Sequence, residues 1–415
     1  YHRYTGTGSG FTEHSKPYWE PHMDKFESVS APDKYTVVFK QKKVDPTYLM
    51  TAIMQSVNFI YAPEVIKQHG DAKDWRNLVG TGPFEITEVV EGTSTTWSKN
   101  PNYWKNDEKY PQNRMPYIDE LKGLVVPDPA TRLSLLRSRK IDMLAMPGGY
   151  AQLTSMDQVM SLKKTNPELV LEPMSYRSET SWVFNTQMKP FDDVRVRHAM
   201  QMALDFRDDG PFDRFHNNLA DLTPQGFLGK GFIGYVTNFE QWPEEIKQYY
   251  VYDPEGAEKL LDEAGYPRSA DGIRFSVTLA DREGWERSEH DQIAVEYWKA
   301  IGVDVKLVEL ENSVWGSKIT DGSEAFMTYI SGYEWAPLGQ IYGQTPGSSW
   351  NPPQVKDPVY NLMYEALANA GTIEEQMRVT KPIDMYMNAQ HWYLWGGRVP
   401  MFHALQPWIV GYNGE

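Results

Sequence analysis

Carboxylates are the most abundant groups in this 415-residue sequence that could do chemistry, with 56 Asp and Glu in all. Two of them held about 5–9.5 Å apart would suit glycoside hydrolysis, one as acid and one as nucleophile or base. No spacing along the chain singles out such a pair, and most acidic side chains are simply solvated. None of the nine His sits in an HExxH, and His391 and His403 lie twelve residues apart, so no local zinc or nickel site is spelled out. The sequence has no GxSxG, no P-loop, no calcium loop and no GxGxxG that follows a strand and opens a helix. Cysteine is absent, which removes thiol catalysis, disulfides and thiolate metal sites together. The chemistry left over is recognition, and its material is aromatic: 14 Trp, 25 Tyr and 16 Phe, more rings than cores alone usually use.

The 41 Lys and Arg against 56 Asp and Glu give a formal charge of −15, which repels nucleic acid and anionic membrane surfaces. No apolar run is long enough to span a bilayer. At this length two or three domains are expected.

The elements that must position those rings alternate between strand and helix. Residues 34–42, KYTVVFKQK, predict a strand, and 46–69 read as helical pieces broken at Pro63. FEITEVVEG followed by STTWSKN predicts a hairpin around Gly92, pinned to a core by Phe84, Trp97, Tyr103 and Trp104. Asp128, Asp192 or Asp193, and Asp253 stand where helix N-caps are needed, with Pro at the first helical position after Asp128 and Asp253. Then IRFSVTLA, SEHDQIAVEYWKAIG and VDVKLVELE give strand, helix ended by Gly302, and strand, a pattern that predicts helices over a largely parallel sheet.

Four ordered motifs carry a resemblance: VGTGPFEITEVVEGTSTTWSKNPNYW, PYIDELKGLVV followed by LLRSRKIDML, NTQMKPFDDVRVRHAMQMALD and YDPEGAEKLLDEAGYP. Together they resemble the extracytoplasmic solute-binding proteins of the peptide/nickel class, family 5, which serve ABC importers. The resemblance implies an α/β fold of two lobes (type II, cluster C-like), with a small extra subdomain on the first lobe. It places residues 1–75 in part of that subdomain, 76–180 in the first lobe, 181–400 in the second, and 401–415 back in the first. Crossovers near 176–186 and 398–407 would act as hinge strands. Members carry further sequence upstream of the equivalent of Tyr1, including a signal peptide or lipobox, so a partial chain is expected.

The implied function is capture of an oligopeptide or similar organic solute between the lobes and its delivery to ABC permease subunits, without catalysis, cofactor or metal. An extracytoplasmic monomer is expected, meeting the membrane only through an N-terminal lipid anchor. On that fold the cleft candidates are Tyr176, Arg177, Trp182, Asn185, Tyr329, Gly332, Tyr333, Glu334, Trp335, Trp350 and His403. Arg177 is suited to clamp a carboxylate, the alternative being a structural salt bridge. In peptide-binding relatives a segment resembling GWxADY carries an aspartate for the peptide ammonium; here GYEWAPL puts Ala336 at that place, and Glu334 is the nearest substitute. An oligosaccharide receptor of the same family is therefore the rival reading, and a secreted glycan hydrolase the rival from another class.

Overall fold

The computed structural model describes residues 26–44, 61–144, 153, 156–173, 179–229, 231–283, 288–331, 341, 343–346, 348, 351–398 and 401–412. They fall into two compact units, residues 1–43 with 48–141, and 44–47 with 142–415.

In the first unit β1 (Phe26–Ser30) and β2 (Val38–Gln41) pair antiparallel, and α1 (Pro63–His69) follows. Pro63 opens this helix at a first-turn position, where its missing N–H has no intrahelical partner to lose, and the expected helical piece before it, 46–60, lies outside the described residues. The expected hairpin is present: β3 (Phe84–Val90) and β4 (Ser94–Lys99) turn at Gly92, whose φ of +66° suits glycine. A third antiparallel strand, β5 (Glu120–Leu124), completes the sheet. Trp97 packs on Gly123, where a Cβ would come within 3.0 Å of the indole. After the hairpin, Asn100 donates from Nδ2 to the Gly82 carbonyl at 2.9 Å and accepts from the Asn102 N–H at 2.8 Å. That one side chain ties the glycine turn to the aromatic segment. Trp104, expected in the core, is 73% exposed: it follows the end of β4, outside the sheet, and its ring meets Tyr103 at 6.0 Å. α2 (Pro129–Arg137) starts at the predicted cap, the Asp128 carboxylate accepting from the Thr131 N–H.

The second unit holds two sheets. A small one is formed by β6 (Met143–Leu144), by β7 (Val170–Pro173) after α3 (Met156–Thr165), and by β13 (Phe402–Leu405), which lies between them. The larger sheet contains β8 (Glu179–Phe184), β9 (Phe275–Arg282), β10 (Val303–Leu310), β11 (Phe326–Ser331) and β12 (Tyr393–Trp395), in the order β10-β9-β11-β8-β12. Strands β9, β10 and β11 run parallel and β8 runs against its neighbours, so the largely parallel expectation holds around one reversed strand.

Helices α4 (Val194–Met202), α5 (Pro211–Phe215), α6 (Glu244–Lys247), α7 (Pro254–Glu263), α8 (Ser288–Ala300), α9 (Asn312–Asp321), α10 (Pro358–Ala368) and α11 (Ile373–Gln390) accompany this sheet. Strand alternation sends Trp182, Phe184 and Phe326 into one core with α4, α7 and α8, and Val183, Met327 and Tyr329 into another with α9, α10 and α11. Both faces of the sheet are thereby covered, as a mostly parallel sheet requires. The predicted caps Asp193 and Asp253 accept from the N–H groups of Arg195 and Gly256, both at 2.9 Å, and Gly302 ends α8 with φ +87°.

Candidate functional site

The C-terminal ends of β9, β10, β11 and β12 and the start of β8 meet at one edge of the five-stranded sheet, because β8 is antiparallel to both β11 and β12. Ligands of open α/β sheets bind outside the carboxyl ends of strands, where the connections diverge. β8, which follows β7 of the small sheet, starts at this edge, and β12, which precedes β13 of the small sheet, ends there. Residues 396–398, after β12, are anchored firmly: Asp221 and Arg398 exchange backbone hydrogen bonds at 3.1 and 2.9 Å, and the Gly396 carbonyl meets His290 Nε2 at 3.0 Å. Gly397 has φ +86°, and a Cβ there would lie 2.7 Å from Leu222 Cδ2. Gln201 closes the free side of β12 as a strand would, accepting from the Trp395 N–H and donating to its carbonyl.

Of the residues expected to bind ligand, Tyr176, Arg177, Gly332, Tyr333, Glu334, Trp335 and Trp350 lie outside the described residues. Trp182 is fully buried; its Nε1 donates to Asp291 Oδ1 at 2.8 Å, while its ring stacks on His290 and meets the edge of Trp298. Thr328, opposite Trp182 on β11, donates to the other Asp291 oxygen at 3.3 Å. Tyr329 is buried, 5.2 Å from the Tyr393 ring, and its carbonyl accepts from the Ser181 hydroxyl. Asn185 sits past the opposite end of β8, where Nδ2 donates to the Gly322 carbonyl and Oδ1 accepts from the Gln187 N–H. His403 is buried in β13, its Nδ1 3.1 Å from the Tyr412 hydroxyl. The structure thus sets Trp182 and Tyr329 on adjacent strands but on opposite faces of the sheet, in separate cores, and places Asn185 and His403 apart from both.

A cavity of about 20 Å³ lies beside the same strands, lined in part by Ser181, Gln225, Gly226, Asn388, Tyr393 and Trp395. Sequence reasoning passed over this region. On the adjoining α11 Thr380, Asp384 and Asn388 recur every four residues, and all three are buried, as is Gln376 one turn earlier. Burial pushes the Asp384 carboxyl up to about 7. Nearby it drives His391 well below the usual imidazole range and His198 down to about 4. Among the described residues no cluster of three or more His, Cys, Asp or Glu is arranged to hold a metal.

Residues 6–351 match the bacterial extracellular solute-binding proteins, family 5 Middle. The chain belongs to this family. Among its family 5 relatives are heme-binding protein A of Haemophilus influenzae, 24% identical over 99% of this chain and 71% of that protein, and the periplasmic oligopeptide-binding protein OppA of the same organism, 24% identical over 93% and 68%. Against di/tripeptide-binding protein 2 of Pseudomonas aeruginosa the chain spans only 50% of the relative's length. Two solved structures share the fold: Helicobacter pylori DppA in complex with the peptide STSA, with a TM-score of 0.76 at 19% identity, covering 98% of this chain and 75% of that one, and Brucella suis NikA in complex with Fe(III)-EDTA, with a TM-score of 0.75 at 20% identity, covering 95% and 78%. The fold is thus the two-lobe α/β fold of family 5 binding proteins, a family of receptors and not of enzymes. Among the described residues no helix is long and apolar enough to cross a membrane.

Proposed function

We propose that this chain is the capturing part of a solute receptor that takes an oligopeptide outside the cytoplasm and passes it to an ABC importer. Family membership over residues 6–351 carries the reading, supported by relatives that bind oligopeptides and di- or tripeptides. The crossovers near 176–186 and 398–407 would serve as the hinge, with the ligand held at the carboxyl edge of the five-stranded sheet by residues that include Arg177, Tyr333, Glu334 and Trp335. Binding drives closure only through contacts that the closed state adds, so the lobes themselves must stay stiff. The sealed edge of β12 and the clamped 396–398 segment meet that demand on one side of the hinge.

Ala336, standing where peptide-binding relatives place an aspartate, favours an oligosaccharide as the second reading. Titration with tri- to pentapeptides and with manno- and cello-oligosaccharides, followed by tryptophan fluorescence and by mass spectrometry of co-purified solute, separates the two. A saturable peptide response is expected. Silence toward peptides with a response to sugars reverses the order, and turnover of a glycan would replace both with a hydrolase.

A further inference from the structure

Asp384 is an ionisable group outside the residues proposed above to hold the ligand. It lies at the middle of α11, 0% exposed, and neither carboxylate oxygen has a hydrogen-bond partner; the Leu228 backbone N–H approaches without completing one. The carboxylate rests against the backbone of Gly226, where a Cβ would fall 2.3 and 2.5 Å from its two oxygens. Gly226 begins a turn closed by the Gly229 N–H on its carbonyl at 2.9 Å. One helical turn away on either side stand Thr380 and Asn388, whose hydroxyl and Nδ2 are also buried without partners. Arg378 and Lys381 of the same helix are exposed. The titratable groups on the facing elements are Tyr250 and Tyr393 around the cavity and Tyr360 on α10, and burial holds Tyr360 and Tyr393 well above the usual phenol range. Among the described residues no cation offsets a charge on Asp384, and burying an unpaired carboxylate is costly enough that the group takes up a proton instead.

We propose that Asp384 is a proton-binding site in the core of the second unit, neutral when the protein is folded and at rest, and that losing its proton loosens the Gly226–Gly229 turn. The turn is tied to the functional edge. Phe227 stacks on Tyr393 of β12 at 4.7 Å, and the Tyr393 hydroxyl donates to Gln344 Oε1 at 2.6 Å. Ionisation therefore acts on the strand that leads into the 396–398 segment. The sign follows from the upward shift: the unfolded chain releases this proton near 3.8 and the folded protein near 7. Stability falls as pH rises between those values and the loss is complete above the upper one.

The test compares wild type with Asp384→Asn, which keeps the shape and cannot ionise, by denaturant unfolding from pH 4.5 to 8.5. The ratio of their unfolding constants is expected to change about tenfold per pH unit in the interval where only the unfolded chain is ionised, in favour of the variant as pH rises, and to level off above neutrality. A ratio independent of pH overturns the proposal. Infrared titration of the wild type reads the same proton directly, and needs no variant. The carbonyl band of a buried protonated carboxyl should be present at pH 6 and bleach by pH 9, and its absence at pH 6 overturns the proposal equally.

Discussion

Trp182 holds its place through Asp291. The fully buried indole and the Thr328 hydroxyl divide one carboxylate between them, so two strands of the sheet hang on a single side chain of α8. Replacing Asp291 with Ala leaves both donors unmet inside a core. A loss of about 1–3 kcal/mol for each stranded buried group is usual, and coupling between them keeps the total below the plain sum. Asp291→Asn retains one acceptor and should lose less. Urea unfolding of the two variants checks this order, and equal losses would mean that packing, not hydrogen bonding, dominates at this position. An aromatic on a predicted crossover was readable in the sequence as a ring with a purpose; the carboxylate that occupies its Nε1 comes from a residue 109 positions away.

At the scale of elements, caps were the most legible feature. Asp128, Asp193 and Asp253 each accept from the first turn of the helix they precede, because a short acceptor two or three residues before a free N–H is a purely local arrangement. Asp357 does more. One oxygen caps α10 through the Val359 and Tyr360 N–H groups, and the other accepts from the Tyr386 hydroxyl of α11 at 2.7 Å. Asp357→Ala is expected to cost about 2 kcal/mol, more than an isolated cap, because it also unties two helices. Adding Tyr386→Phe to that variant should cost little further, a double-mutant cycle that would refute the coupling if the two losses simply added. The β9–α8–β10 succession was equally legible from its period. The reversed strand β8 was not, since direction in a sheet is set by where the chain enters it.

For the whole molecule, two buried imidazoles and one buried carboxyl pull stability in opposite directions with pH. His198 and His391 are held neutral by burial, edge to face with ring centroids 4.8 Å apart, and the depressed folded values mean that the unfolded chain takes up protons first on acidification. Their contribution is complete above the ordinary imidazole value of 6.5 and is lost as pH falls toward about 4, the folded value of His198. His391→Asn should make the acid limb of the stability curve shallower, and Asn tolerates the left-handed φ of +46° that His391 adopts. Thermal melts between pH 4 and 7 read this slope; an unchanged slope would leave the acid limb to carboxylates such as Glu258, which Arg268 and Arg274 hold down to about 2.

The sequence by itself determined the alternation of strands and helices, the caps and the hairpin turn, and the motifs of the solute-binding family, because each depends on neighbours within a few residues or on an ordered string of such signals. Only the tertiary structure decided that the polar stripe Gln376, Thr380, Asp384 and Asn388 faces inward, and that Trp182 is enclosed while Trp104 is open to solvent. Periodicity tells which residues share a face of a helix or strand. What that face meets, and so whether a carboxyl there keeps its proton, is fixed by chain segments far away in sequence.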